Sequence, residues 1–329
     1  MRTDPLSASD RALVDGVLGG QRRALAKTIT LVESTRADHQ QRAQHVLNAL
    51  LPATGGAIRL GISGVPGAGK STFIEALGVW LIERGHRLAV LAVDPSSTVS
   101  GGSILGDKTR MELLSQREEA FIRPSPSAGS LGGVAEKTRE AMLLCEAAGY
   151  DVIIVETVGV GQSETTVAGM VDMFCLLQLP NAGDDLQAIK KGIVEIADVV
   201  VINKADIDPT ATEVTRAQWR SALHMLRPTS PGWAPPVIAL SALRKEGIAD
   251  FWAQVESFRA ALEPAGELAA KRRRQALSWM WQLIDAELRL RFRRHRGVQA
   301  ELAALSGAVE RGEVTAFAAA RALLEHLSH

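Results

Sequence analysis

Apolar residues at helical spacing open the chain. Leu13, Val14, Val17 and Leu18 share one face, Leu25, Ile29 and Val32 repeat the pattern after Gly19-Gly20, and Val46, Leu47, Leu50 and Leu51 make a third stripe. Pro52 and Gly55-Gly56 then break it. A helical extension over residues 1–55 is predicted, with no chemistry of its own. From about Ala57 the period changes. Short continuous apolar runs at 58–62, 88–93, 120–123, 152–155, 173–179, 199–203 and 237–240 read as strands, and amphipathic runs such as 134–148, 210–226 and 248–262 read as helices between them. Strands apolar on both faces, alternating with helices, imply a mostly parallel sheet covered on both sides. After Pro264 the pattern is helical again. Leu277, Met280, Trp281, Ile284 and Leu288 form one stripe, Val298, Leu302, Leu305 and Val309 a second, and Val314, Phe317, Leu324 and Leu327 a third, with Gly297 as the expected break. The predicted fold class is α/β: a doubly wound, mostly parallel sheet with helical N- and C-terminal extensions, divided as 1–55, 56–264 and 265–329. The last segment carries more apolar surface than one helix can hide against a finished sheet. An oligomer interface is the favoured reading, and packing back on the same chain is the alternative.

The first apolar strand runs into Gly64-Val65-Pro66-Gly67-Ala68-Gly69-Lys70-Ser71, followed by Thr72 and an amphipathic run. This is G-x-x-x-x-G-K-S in its strand–loop–helix context, a phosphate-binding loop. Glycines let the backbone curl so that successive N–H groups cradle phosphate oxygens, and the helix N-terminus adds partial positive charge. Lys70 would reach the β- and γ-phosphates and the Ser71 hydroxyl would ligate Mg²⁺.

Further polar groups fall at strand ends, where open parallel sheets bind ligands. Asn203-Lys204-Ala205-Asp206 follows a strongly apolar strand. A carboxylate at Asp206 accepts hydrogen bonds from guanine N1–H and the N2 amine. Adenine lacks that amine and presents an acceptor at N1, which would leave a buried charge unpaired at a cost of about 1–3 kcal/mol or more. Lys204 would lay its alkyl stem on the base, and Asn203 would tie the loop together. Ser241-Ala242-Leu243, after the last strand, is a candidate for reading the guanine carbonyl through backbone N–H. Glu156-Thr157-Val158-Gly159 places an acid at a strand tip and a glycine three residues on, suiting a Mg²⁺-linked carboxylate and an N–H aimed at the γ-phosphate. Asp94 and Asp107 are further candidates near the metal. Mg²⁺ bound to a triphosphate usually takes one or two carboxylates and keeps its waters, so not all three acids are direct ligands.

Composition narrows the picture by exclusion. Lysine plus arginine and aspartate plus glutamate both total 37, so nothing global argues for nucleic acid or a membrane. Basic runs at 271–274 and 289–296 lack a groove-reading motif and read as solvated helix faces or an acidic protein contact. Cys145 and Cys175 each sit in an apolar run and read as core thiols of a reducing compartment. No apolar run approaches the roughly 18 residues needed to cross a bilayer, and the first ten residues hold no signal-peptide core. A cytoplasmic protein is expected.

The set 64–71, Val93-Asp94-Pro95-Ser96-Ser97, the run Glu156-Thr157-Val158-Gly159-Val160-Gly161-Gln162-Ser163-Glu164, and Asn203-Lys204-Ala205-Asp206 resembles the MeaB/ArgK family. These are SIMIBI-class P-loop G-proteins that attend adenosylcobalamin-dependent methylmalonyl-CoA mutase. The resemblance extends over nearly the whole chain. It implies GTP/GDP and Mg²⁺ as ligands, GTP hydrolysis, and a chaperone role that protects the mutase and gates cofactor loading. It implies that 56–264 is the GTPase domain and 265–329 a dimerisation arm of a homodimer. Carried over by motif, Lys70, Glu156 and Asp107 would serve catalysis, Ser71, Asp94, Asp107 and Glu156 the metal, and Asn203, Lys204 and Asp206 the base. The family's additional mobile switch matches 178–190, with Asp184, Gln187 and Lys190 as switch or partner residues beside Gly159 and Gln162. Helix capping explains Asp184 equally well. Ras-like G-proteins place a glutamine directly after the switch glycine; here Val160 follows Gly159 and the nearest glutamine is Gln162.

Three other readings use the same loop, one of them a non-enzymatic binding module that takes GTP only as a structural ligand. A metallochaperone-type GTPase needs Cys/His ligands, and the sequence has no C-x-x-C or C-x-C. A P-loop small-molecule kinase leaves Asp206 without a task.

Overall fold

The computed structural model describes residues 6–93, 111–124, 131–157, 163–180, 191–225 and 230–327. The chain divides into two compact units, Met1–Ala269 and Ala270–His329.

The first unit begins with three helices, α1 (Ala8–Leu18), α2 (Arg22–Glu33) and α3 (Ala37–Leu50). Among the described residues seven strands follow: β1 (Ile58–Gly64), β2 (Leu88–Val93), β3 (Ala120–Arg123), β4 (Val152–Thr157), β5 (Met173–Gln178), β6 (Val199–Ile202) and β7 (Val237–Ala239). Between and after them lie α4 (Lys70–Ile82), α5 (Glu112–Ser115), α6 (Leu131–Ala147), α7 (Ser163–Ala168), α8 (Lys191–Ile196), α9 (Pro209–His224) and α10 (Ile248–Leu262). The strands form one sheet in the order β3-β2-β4-β1-β5-β6-β7, and every pairing is parallel. The expected doubly wound α/β fold is therefore observed.

Both faces of the sheet are apolar, which is why its strands read as continuous runs. Leu60 and Ile62 of β1 pack with Phe73, Ile74 and Leu77 of α4 and with Phe251 and Phe258 of α10. The Phe73 and Phe251 rings meet edge to face, with centroids 4.9 Å apart. Truncating a buried phenylalanine such as Phe73 to alanine typically costs about 3–5 kcal/mol, so α4 is firmly fixed beneath its own N-terminus. On the opposite face, Leu25, Ile29 and Val32 of α2 and Val46, Leu47 and Leu50 of α3 join Leu91, Ile153, Val155 and Phe174. The N-terminal helices thus cover the sheet alongside α6. Arg42 clamps Asp10 across α3 and α1 at 2.7 Å, Arg59 of β1 meets the buried Glu146 of α6 at 2.8 Å, and Arg123 at the end of β3 pairs with Glu33 at the end of α2.

Element α11 (Glu267–Arg294) leads into the second unit, which continues with α12 (Arg296–Glu310) and α13 (Ala316–Glu325). The break falls at His295, not at Gly297, which lies inside the first turn of α12. Gly297 is there for closeness: a Cβ would stand 2.5 Å from the His326 ring. Val298, Ala319 and Leu323 are buried in this unit, whereas Leu277, Trp281, Leu288, Phe317 and Leu324 are exposed. Among the described residues no helix is long and apolar enough to cross a membrane.

Candidate functional site

The loop after β1 is shaped by close approach. Gly64 has φ 155°, and a Cβ on it would lie 2.4 Å from the Leu177 carbonyl oxygen of β5. Gly69 has φ 85°, and its Cβ would lie 2.7 Å from Asn203 Nδ2. Any side chain at either position would push the loop off its neighbours. Gly69 is also the N-cap of α4 and offers no side-chain acceptor to the first turn, a setting that suits an anionic ligand. Lys70 Nζ donates to the Gly64 carbonyl at 2.8 Å and reaches the Val65 carbonyl at 3.5 Å, so the ammonium spans the loop. Val65 packs partly against the core, Pro66 and Gly67 are exposed, Ala68 is buried, and Thr72 is exposed on the first turn.

Beside the loop, Ser71 Oγ donates to Glu156 Oε1 at 3.4 Å. Glu156 is 5% exposed, and its strand pairs with both β1 and β2. A hydroxyl and a carboxylate at that spacing form an oxygen-only donor set, which suits a hard divalent cation such as Mg²⁺. One residue on, the side chain points to the other face, where the Thr157 hydroxyl donates to Ser63 Oγ at 2.9 Å. That buried bond fixes the tip of β4 against β1.

Asn203 joins three loops. Its buried amide donates from Nδ2 to the Ala68 carbonyl at 2.7 Å, and its Oδ1 accepts from Lys204 N–H at 2.8 Å and from Ala242 N–H at 3.0 Å. Lys204 adopts φ 62°, a left-handed conformation that costs a side-chain-bearing residue about 1–2 kcal/mol. That bend brings Asp206 round beside the turn after β7. There the Asp206 carboxyl is held below the usual carboxylate range, chiefly by a hydrogen bond from the Ser241 hydroxyl, with the nearby Arg244 adding to it and desolvation opposing it. Ser241 N–H donates to the Glu246 carbonyl at 3.1 Å, and Ala242 N–H is the one bound to Asn203. Of the three backbone donors expected there, two are therefore committed within the protein; Leu243 itself is 79% exposed.

The structure thus brings Lys70, Ser71, Glu156, Asn203, Lys204, Asp206 and Ser241 to one edge of the sheet. Asp94, Asp107, Gly159, Gln162, Asp184, Gln187 and Lys190 lie outside the described residues. Three features were not foreseen. Arg244 stands 3.4 Å from Asp206. Glu75 of α4 accepts the N–H of Leu113 at 2.7 Å, capping α5. Gln178, at the end of β5, is buried, and neither of its amide atoms is paired among the described residues. The first two depend on contacts remote in sequence or in a turn, and the third on a polar residue closing an apolar strand, where no local pattern announces them.

A model of the family described as methylmalonyl Co-A mutase-associated GTPase MeaB matches residues 25–296. The chain belongs to the MeaB GTPase family. As a member of it, the chain is a GTPase that binds guanine nucleotide. It is 57% identical over 308 residues to a putative GTPase of Caulobacter vibrioides, covering 94% of each chain. It is 48% identical over 341 residues to the mitochondrial methylmalonic aciduria type A homolog of Mus musculus, covering 98% of this chain and 81% of the mouse protein. The crystal structure of a LAO/AO transport system kinase superposes with a TM-score of 0.80 at 39% identity, covering 99% of this chain and 100% of that one. The P-loop GTPase fold of this MeaB-family chain agrees with that likeness.

Proposed function

We propose that this MeaB-family GTPase is a G-protein chaperone of adenosylcobalamin-dependent methylmalonyl-CoA mutase, protecting the mutase and gating cofactor loading through GTP binding and hydrolysis. The observation that supports the reading is the single edge on which Lys70, the Ser71–Glu156 pair and the Asn203–Asp206 loop meet in a chain of this family. Loop N–H groups and the Lys70 ammonium would stabilise the charge that develops on the phosphoryl oxygens. Ser71 and Glu156 would hold Mg²⁺, which would supply charge neutralisation to the bound phosphates. Asp206 would read guanine, with Asn203 and Ser241 orienting the loop that carries it. Asp94 and Asp107 are proposed to serve the metal region, and Gly159, Gln162, Asp184, Gln187 and Lys190 the switches.

The proposed organisation is an N-terminal extension over 1–55, a GTPase domain over 56–264 and a dimerisation arm over 265–329, in a cytoplasmic homodimer. The exposed Leu277, Trp281 and Leu288 support self-association, because contiguous apolar surface of this kind marks interaction sites. Slow intrinsic turnover, accelerated when the mutase orders the switches, is expected. The test is phosphate release from GTP with and without an adenosylcobalamin-dependent mutase, paired with co-elution in each nucleotide state. Stimulated release with co-elution is expected. No co-elution in any nucleotide state would refute the chaperone role.

A further inference from the structure

We propose that Arg244 competes with guanine for the Asp206 carboxylate and thereby weakens nucleotide binding and speeds nucleotide release. The inference rests on the reading of Asp206 as the base-recognising carboxylate. Its basis is a built turn. Ser241 and Glu246 exchange two backbone hydrogen bonds, at 3.1 and 3.0 Å, and form an antiparallel bridge that folds residues 241–246 back on themselves. Ser241 Oγ accepts the Arg244 N–H at 3.2 Å, and Lys245 N–H donates to the Ala242 carbonyl at 3.3 Å. The Arg244 backbone is therefore fixed relative to the hydroxyl that orients Asp206. From that anchor, Nε of Arg244 lies 3.4 Å from Oδ2 of Asp206.

The two side chains are in contrasting environments. Asp206 is 11% exposed and Arg244 is 60% exposed. A partly desolvated carboxylate thus faces a guanidinium whose head is still in water and free to swing away. Guanine and the guanidinium make the same demand on the carboxylate, because each presents N–H donors in a plane. When N1–H and the N2 amine engage both oxygens, the arginine must give up its place. When the base leaves, the arginine returns and offsets the loss of the base's N–H donors to the carboxylate. The pair therefore stabilises the nucleotide-free protein, and that stabilisation is subtracted from the affinity. An ion pair with one partner this exposed shifts an equilibrium by about 1.4- to 5-fold. Its effect fades as salt shortens the screening length to about 3 Å at 1 M.

The experiment uses the full chain and a fluorescent GDP analogue, with dissociation rate and Kd measured at low salt and near 1 M salt. Arg244→Ala should hold GDP about 1.4- to 5-fold more tightly at low salt, through slower release, and the difference should vanish at high salt. Arg244→Lys should restore part of the wild-type behaviour, since it returns the charge. In an Asp206→Asn background, Arg244→Ala should change nothing. Unaltered release, or weaker binding, in Arg244→Ala would overturn the proposal, and weaker binding would make Arg244 a contact of the bound base. Wild-type GDP binding by Asp206→Asn alone would instead overturn the reading of Asp206 on which the proposal stands.

Discussion

Replacing Asn203 by alanine should damage stability and nucleotide binding together. The side chain is 2% exposed and makes three hydrogen bonds. Two of its partners, the Ala68 carbonyl and the Ala242 N–H, belong to residues that are 0% and 3% exposed. A buried backbone group stripped of its partner costs about 1–3 kcal/mol, so the two together come to about 2–6 kcal/mol. That is a large share of the roughly 5–15 kcal/mol by which a folded domain is stable. At about 2–4 °C per kcal/mol for a unit of this size, the melting temperature should fall by roughly 4–24 °C. The loss is also directional. Ala68 belongs to the phosphate loop and Ala242 to the turn beside Asp206, so both ends of the nucleotide site loosen. Thermal denaturation with and without GDP is the assay, and the GDP-induced rise in melting temperature should shrink along with the midpoint. Asn203→Asp serves as a control. It keeps the acceptor for Lys204 and Ala242 but sets a carboxylate oxygen against the Ala68 carbonyl, so it should harm phosphate contacts while retaining more of the base loop. A midpoint within about 2 °C of wild type, with GDP stabilisation intact, would refute the assignment of Asn203 as the junction of the three loops.

Asp206→Asn should lose guanine and gain xanthine, because the amide N–H₂ faces the C2 carbonyl that xanthine has in place of the amine. Losing a charge-assisted hydrogen bond worth about 1.5–3 kcal/mol should weaken GDP by roughly 10- to 150-fold, and competition with XDP and GDP reads it; unchanged preference for GDP would contradict base recognition at Asp206. The Asp10 carboxyl is held below its usual range first by its hydrogen bonds from Arg42. A lowered carboxyl pKa contributes stability that is present above the unfolded value and is lost as pH falls through the folded value. Arg42→Ala should therefore be less stable than wild type at neutral pH, with the gap closing below about pH 4; a urea-unfolding gap that persists undiminished into stronger acid would refute it. Trp281→Asp, on the exposed face of α11, should reduce the sedimenting mass of a dimer to that of a monomer while leaving GDP binding in place; an unchanged mass would argue against the arm as the interface.

The sheet was legible because its strands are apolar on both faces, and 88–93 and 120–123 match β2 and β3 residue for residue. Strand β1 was read two residues short. Ser63 and Gly64 look like loop, yet they pair with Leu176 and Leu177 of β5. Helix α4 was read from Thr72 but starts at Lys70, since a helix of this loop begins inside the motif itself. The N-terminal stripes were visible as helices, but not their target, because amphipathicity names the buried face and not what buries it. The same limit applies at the site. Asn203 was expected to tie its loop, and it does; that it reaches Ala68, 135 residues away, is a property of the sheet order. Arg244 sits in a turn whose backbone bonds, not its residue types, aim it at Asp206.

That sheet order also explains why one edge collects so much chemistry. Strand β1 lies between β4 and β5, although β2 and β3 intervene in sequence before β4. The chain winds outward to β3 on one side, returns to β4, and then crosses β1 to build β5, β6 and β7 on the other. The direction of winding therefore reverses around β1, and a crevice at such a switch point opens at the carboxyl ends of the strands. The phosphate loop is fixed there by its connection to β1. Glu156 arrives from the β4 side, close enough to share a hydrogen bond with Ser71. Asn203 arrives from the β6 side, close enough that only glycine fits at position 69. Glu75 extends the same framework, because the helix that begins at Lys70 also caps α5 through the Leu113 N–H. Helix α4 and Asn203 thus tie the loop after β1 to the ends of β4 and β6 and to α5.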